Sequence, residues 1–386
     1  MAKPFFRADQ VGSLLRPPEL IRARIDFQQG KIDKTGLRVV EDAAIADVVR
    51  RQEHCGFDVV VDGEFRRENW WIDFVQGLSG VEIREGDAKQ AFVAPASQPH
   101  HDAKQDHDHD HDHAWKYVPK NVLTTGRLFA SKPITTPAFS YLQSVTQCAA
   151  KVTLPSPTRL HFHGGRAAVS KEAYPDIEAF YADIVQVYRS EIGALEAAGC
   201  RYIQIDDPLM TYFISERMRA EVVTAGDDPE VRLQRYVKLT NDCIAARGPS
   251  TAIGIHVCRG NSRSGWIAEG GYERIAEAVL GGLNVDHFLL EYDDERSGDF
   301  APLRHVPRGV KVVLGLVTTK FGKLEDAGEL CRRIDDASKI IPLEDLGLSP
   351  QCGFASTVEG NIITMDDQWR KLARVVEVAE QVWGGS

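Results

Sequence analysis

Short apolar runs that stop at a polar residue recur along the chain, separated by longer stretches whose apolar residues repeat with helical period. The runs end at Ser13 in DQVGS, Glu64 in DVVVDGE, Pro157 in KVTLPSP, Asp206 in YIQIDDP, His256 and Cys258 in IGIHVC, Glu291 in HFLLEYD, Thr318 in VKVVLGLVT and Cys352 in LGLSPQCG. Helical patterns lie between these strand signals. Residues 174–198 open with Pro175 in the first turn, carry Ile177, Phe180, Ile184, Val187 and Leu195 on one stripe, and stop at Gly199. A last helix is expected after Asp366 as N-cap, with Leu372, Val375, Ala379 and Val382 on one face. No glycine-rich phosphate fingerprint follows the first strand. The alternation therefore predicts an α/β fold of the (β/α)8 TIM-barrel type, one domain over residues 1–386, rather than an open sheet.

Residues 78 to about 145 break the rhythm and are expected to form an insertion over the mouth or side of the barrel. Within them, HHDAKQDHDHDHDHAWKY alternates His107, His109, His111 and His113 with aspartates. This tract, residues 100–113, cannot bury a core and reads as a solvated loop. Alternating imidazole and carboxylate is also a weak chelator for zinc or nickel, so a metal-handling role for the tract is a rival function.

At 43% hydrophobic and 26% charged residues, the composition is that of a globular protein with material for a large core. A net charge of −10 without any basic block argues against nucleic acid or an anionic membrane as partner. The N-terminal MAKPFFRADQVGS has no apolar h-region, and no run reaches the roughly 18 apolar residues of a membrane span. Seven scattered cysteines with no CxxC suit reduced thiols, and a cytoplasmic location is expected. Oligomeric state is not set by these features, and a homo-oligomer remains open.

In a barrel of this type the C-terminal strand ends share one mouth, where reactive residues gather. His256 and Cys258 lie two apart in an extended run, so both side chains leave the strand on one side. Alone, this pair reads more readily as a core cysteine beside a satisfied histidine than as two metal ligands. Taken with Glu291 and Cys352 it makes a four-ligand tetrahedral set for Zn2+, softer than hydrolytic zinc sites and built from three strands rather than close knuckles. With two thiolates and one carboxylate such a site carries a net charge of about −1. It would make hydroxide poorly but hold a substrate thiolate well, which points to alkylation of a small thiol.

The segments DQVGSLLRP, VDGEFRR, YIQIDDP, IHVCRGN, LLEYDDERSGDF, GLVTTK and SPQCGFAST resemble the catalytic barrel of the cobalamin-independent methionine synthase family, and more closely its single-barrel relatives. The resemblance spans the chain outside residues 78–145. It implies Zn2+ held by His256, Cys258, Glu291 and Cys352. It further implies a homocysteine site in which Ser13 and the backbone after Val11 hold the carboxylate while Glu64 and Asp206 hold the ammonium. The implied activity is that of a 5-methyltetrahydropteroyltriglutamate–homocysteine S-methyltransferase acting in methionine biosynthesis. Three departures bear on the donor: the family's N-terminal barrel is absent, Phe162 in PTRLHFH stands where the family stacks a tryptophan on the pterin, and Val317 in GLVTT replaces the histidine that would protonate the leaving folate nitrogen. His161 or His163 is then expected to supply that proton or to be structural. Arg259, Asn261 and Arg296 are expected to face an anionic tail or to pair with carboxylates, and Trp70 and Trp71 to pack as core or lid. The rival that keeps the zinc changes the electrophile, to an epoxide opened by coenzyme M or a methylcorrinoid; Glu64 and Asp206 have the wrong charge for a sulfonate thiol.

Overall fold

The computed structural model describes residues 3–86, 92 and 120–385. Strands β1 (Val59–Val60), β4 (Ala149–Pro155), β5 (Tyr202–Asp206), β6 (Ala252–Val257), β7 (His287–Glu291), β8 (Lys311–Val317) and β9 (Leu346–Pro350) form one parallel sheet in that order, and β2 (Ser79–Glu85) pairs antiparallel with β3 (Lys120–Phe129) in a separate hairpin. Strands β5, β6, β7 and β9 are buried along their whole length. That is the reason their sequences read as continuous apolar runs rather than as an alternation.

The barrel expected from the sequence is present, with one physical difference. Seven positions are regular strands, and the eighth is the irregular N-terminal segment. Ala8 bridges Leu348 of β9 in parallel, and at the opposite edge Leu14 donates to the Gly63 carbonyl just past β1. A regular ladder does not form there because Val61, where β1 ends, gives both its N–H and its C=O to the Gln52 side chain, at 2.9 Å each. Gly12 carries no side chain in this segment for a steric reason: a Cβ would sit 2.8 Å from Glu64 Oε1 and 2.9 Å from Thr153 Cγ2. The backbone must approach both groups closely.

The helices cover the outside of the sheet. Helix Ile177–Ala197 begins two residues later than Pro175 would place it, because Asp176 caps it by accepting from Glu178 N–H at 3.0 Å. The last helix, Met365–Trp383, is capped by Thr364 in a capping box with Asp367, not by Asp366. No helix among the described residues is long and apolar enough to cross a membrane. The stretch expected as an insertion contains the β2–β3 hairpin and the helix Thr136–Ser144, while the His/Asp tract at 100–113 lies outside the described residues.

Candidate functional site

The strand ends converge as a parallel barrel requires. A pocket of roughly 750 Å3 including its open mouth is walled by Val11, Ser13, Glu64, Asp206, His256, Cys258 and Cys352, with Asn69, Trp70, Trp71, His163, Tyr212 and Asn261 among the remaining lining. Arg16 stitches the rim. Its guanidinium donates to the carbonyls of Ala355 at 3.2 Å, Thr357 at 3.1 Å and Arg67 at 3.0 Å, joining the loops after β1 and β9.

At one end of the pocket the ligating atoms of His256, Cys258 and Cys352 all lie within 4.8 Å of one another and all three residues are buried. The His256 Nδ1 faces the Leu289 carbonyl at 3.2 Å, which makes it the protonated nitrogen and leaves Nε2 with its lone pair, buried without a hydrogen-bond partner. Burial disfavours the imidazolium, but the adjacent Cys352 and the carboxylates of Asp206 and Glu291 outweigh it and raise the His256 pKa. The two thiols titrate together. The hydrogen bond from Cys258 holds the Cys352 thiol well below the ordinary range, and the same contact, with burial, pushes Cys258 up, so one proton leaves readily and the second is retained.

These atoms fit a tetrahedral zinc ion. Bonds of about 2.3 Å to sulfur and about 2.0 Å to nitrogen place ligand atoms about 3.5–3.8 Å apart, within side-chain adjustment of the observed cluster. Glu291 is placed differently from the other three. Its Oε2 accepts from Arg259 N–H at 2.8 Å, and its Oε1 lies 3.1 Å from Arg296 and 3.3 Å from Lys320. Burial alone would raise its pKa, but Lys320, Arg259 and Arg296 pull it down to about 2. The carboxylate is therefore permanently charged and next to the trio, and it is engaged by cations rather than clustered with the sulfurs.

The other end of the pocket holds carboxylates in the reverse state. Glu64 has a left-handed backbone (φ 60°), uncommon outside glycine, and is 3% exposed. Its Oε1 accepts from Thr153 at 3.0 Å and lies 3.6 Å from Arg67, while Oε2 is buried with no hydrogen-bond partner. Burial raises the Glu64 pKa despite Arg67. Burial and then Glu64 push Asp206 up to about 7, against the pull of His256 and the Gln204 amide. A buried, unpartnered acceptor beside a half-protonated carboxylate lacks a cation. Ser13 stands between the two ends, its Oγ accepting from Ala355 N–H at 3.3 Å, and it lies so close to Gly353 that a Cβ there would come within 2.0 Å of Oγ.

Residues 6–103 and 142–381 match the family described as cobalamin-independent synthase, catalytic domain. The chain belongs to the cobalamin-independent methionine synthase family. It is accordingly a methyltransferase. It is 41% identical over 98% of its length to the protein named "Uncharacterized protein YxjH" of Bacillus subtilis, covering 95% of that protein. It is 24% identical over 92% of its length to the methionine synthase of Pyrococcus abyssi, covering 88% of it. The crystal structure of the putative vitamin-B12 independent methionine synthase of Listeria monocytogenes superposes with a TM-score of 0.76 at 35% identity, over 100% of this chain and 99% of that one.

Within this family member, the sequence-derived candidates separate into those that line the pocket and those that do not. Val11, Ser13, Glu64, Asp206, His256, Cys258 and Cys352 line the pocket together. Phe162 does not: it is buried behind the wall, packed edge-on against Tyr212 (5.6 Å) and Phe213 (6.0 Å). The aromatic surface facing the pocket is instead that of Trp70, Trp71, Phe92 and Tyr212, with Arg159 stacked over Trp71 at 3.9 Å. Val317 is fully buried and outside the pocket. Of the two histidines near Phe162, His161 is held by Tyr236 at 2.9 Å in an aromatic cluster, and His163 lines the pocket. His163 is exposed where it lines the pocket, with Arg159 also in the lining.

Arg259 and Arg296 turn toward Glu291, and of the polar trio expected at the wall only Asn261 lines it. Sequence reasoning missed Lys320, the fully buried ammonium that faces Glu291 and, at 3.5 Å, Asp293. A lysine three residues past the end of β8, in GLVTTK, was the available signal.

Proposed function

We propose that this protein transfers a methyl group from a 5-methyltetrahydrofolate-type donor to the sulfur of homocysteine, with Zn2+ held by His256, Cys258 and Cys352 and with Glu291 as the exchangeable fourth ligand. The observation that carries the reading is the presence, in one pocket, of a sulfur–imidazole trio and a buried carboxylate pair with an unpartnered oxygen. Bound zinc would supply deprotonation of the substrate thiol at neutral pH while leaving its sulfur nucleophilic.

The chain's own groups do the rest. Glu64 and Asp206 receive the ammonium, which relieves their mutual repulsion. Ser13 and the backbone after Val11 take the carboxylate. The amino acid is thereby fixed at one end, so that its sulfur reaches the trio and attacks the methyl carbon in line, the sulfur–carbon bond forming as the donor's carbon–nitrogen bond breaks and the departing nitrogen takes a proton from solvent. Names support the same reading: the Pyrococcus relative and the Listeria structure are both called methionine synthases. The cysteines of the described residues are all unpaired, and we place the reaction in the cytoplasm.

The test is zinc-edge X-ray absorption with proton-release titration on zinc-loaded protein, adding L-homocysteine and, separately, coenzyme M. A new sulfur in the zinc shell with about one proton released supports the reading. A response to coenzyme M but none to homocysteine refutes it.

A second reading keeps the thiol site and changes the donor, to a methylcorrinoid or another electrophile. It is favoured by Val317, a side chain that cannot donate a proton. Methyl transfer from mono- and polyglutamyl 5-methyltetrahydrofolate, compared with a methylcorrinoid under the same conditions, separates the two.

A further inference from the structure

Beneath the carboxylate end of the pocket, inside the barrel, lies a closed polar network that none of the chemistry above uses. Lys151 on β4 is buried, and its ammonium donates to Asp9 Oδ1 at 2.6 Å, to Gln204 Oε1 at 3.0 Å and to the Gln10 carbonyl. All three of its protons are used. Asp9 is satisfied in turn, accepting from Gln10 N–H at 2.7 Å through Oδ1 and from the Tyr202 hydroxyl at 2.6 Å through Oδ2.

The consequence falls on Gln204, a residue on β5 with no exposure at all. Lysine can only donate, so Oε1 of the amide must face Lys151. The other end, Nε2, is then presented to two acceptors, the Val11 carbonyl and Asp206 Oδ1, each at 2.7 Å. The assignment is consistent at every contact; a flipped amide would set N–H against ammonium and oxygen against both acceptors. Val11 and Asp206 come from elements far apart in sequence and both wall the pocket. A trans peptide points its C=O and N–H in opposite directions, so clamping the Val11 carbonyl also directs the Gly12 N–H away from Gln204.

We infer that Gln204, with its amide oriented by Lys151, is a positioning residue for the amino-acid end of the thiol: one amide sets both the Asp206 carboxylate and the Val11–Gly12 peptide, and so determines selectivity for a thiol that carries an ammonium group. This rests on the reading that the pocket takes homocysteine.

The test measures binding, by calorimetry on zinc-loaded protein, of L-homocysteine and of its desamino analogue 4-mercaptobutanoate. The wild type is expected to prefer homocysteine. Gln204→Met, of similar volume without the donor, is expected to weaken both thiols through the lost Val11–Gly12 clamp and, beyond that shared loss, to lower the preference for homocysteine on the order of 10- to 100-fold, the range for a hydrogen bond to a charged group. Gln204→Asn keeps an uncharged amide and should fold even where the methionine variant does not. Its shorter arm cannot span from Lys151 to Asp206 and Val11 and should lose the same preference. Equal weakening of both thiols, or an unchanged preference in both variants, overturns the inference, because a merely structural glutamine would not discriminate between them. Absence of any preference in the wild type refutes the homocysteine reading itself and the inference with it.

Discussion

Replacing Glu64 by glutamine should make the metal-free protein more stable and its amino-acid site worse. The free carboxylate has an unpartnered buried oxygen and helps to push Asp206 from an ordinary 3.8 to about 7, a penalty on charged Asp206 of about 4 kcal/mol. Burial is the larger cause and Glu64 the second, so the share relieved by Glu64→Gln is less than half, under about 2 kcal/mol. Opposing this is the loss of the Arg67 contact at 3.6 Å. That loss is partial, because Arg67 keeps its two hydrogen bonds to Thr153. Since the Glu64 pKa is raised even with Arg67 present, the unfavourable side wins, and a net gain of about 1 kcal/mol is expected at pH 8. The sign follows from proton linkage: Asp206 binds its proton more tightly folded than unfolded, so stability contributed by its neutral form falls as pH rises from about 4 to about 7. At pH 5 Asp206 is already protonated and the gain should vanish. Urea unfolding of metal-free wild type and variant at pH 5 and pH 8 reads this directly, and homocysteine affinity of the zinc form should fall on the order of 10- to 100-fold. A variant less stable at pH 8, or one with unchanged homocysteine affinity, refutes the assignment of Glu64 as a carboxylate kept for a cation.

Cys352→Ser should abolish stoichiometric zinc binding as measured by metal analysis after dialysis, whereas deleting residues 100–113 should leave one tightly bound zinc per chain; the reverse pattern favours the metal-handling alternative. Lys320→Met removes the cation that acts most strongly on Glu291 and leaves Asp293 short of a partner, so unfolding free energy should fall by about 3–5 kcal/mol. Because Glu291 is held at about 2, the stability it contributes is present above the ordinary carboxylate range and lost as pH falls toward 2. The acid-unfolding midpoint of this variant should therefore move to higher pH. Gly353→Ala would bring a Cβ within 2.0 Å of Ser13 Oγ, so it should displace Ser13 and weaken homocysteine binding without altering zinc content.

The barrel was legible because parallel strands buried on both faces leave unbroken apolar runs, and each of the eight run ends falls where the chain leaves the barrel wall. What the sequence did not disclose was the closure. DQVGS reads as a strand, yet Gln52, some forty residues away in a helix, occupies the backbone of Val61 where a ladder would form, and no local pattern announces a side chain that substitutes for a strand. The trio was legible for the opposite reason, since HxC at a strand end fixes two side chains on one side whatever the rest of the fold does. Phe162 shows the limit of transferring a motif position by residue type: an aromatic in the right stretch packs behind the wall when Tyr212 and Phe213 offer it a better-filled site. Gln204 and Lys320 were invisible because their meaning lies in what they face across the barrel.

Glu291 and Asp206 are residues of the same chemistry at the ends of β7 and β5, with β6 between them, and the fold drives them to opposite states. Lys320, Arg259 and Arg296 keep Glu291 charged down to about pH 2, whereas Glu64 and burial hold Asp206 near 7. A group that must exchange with a substrate thiolate needs somewhere to put its negative charge when displaced, and the cations around Glu291 provide that place. A group that must receive an ammonium gains most when its charge is unfavourable beforehand, because the incoming cation then relieves a penalty as well as making a contact. A single electrostatic environment could not serve both. On the proposed reading, the trio with Glu291 is the sulfur end of the site, and Glu64 with Asp206 is the amino-acid end.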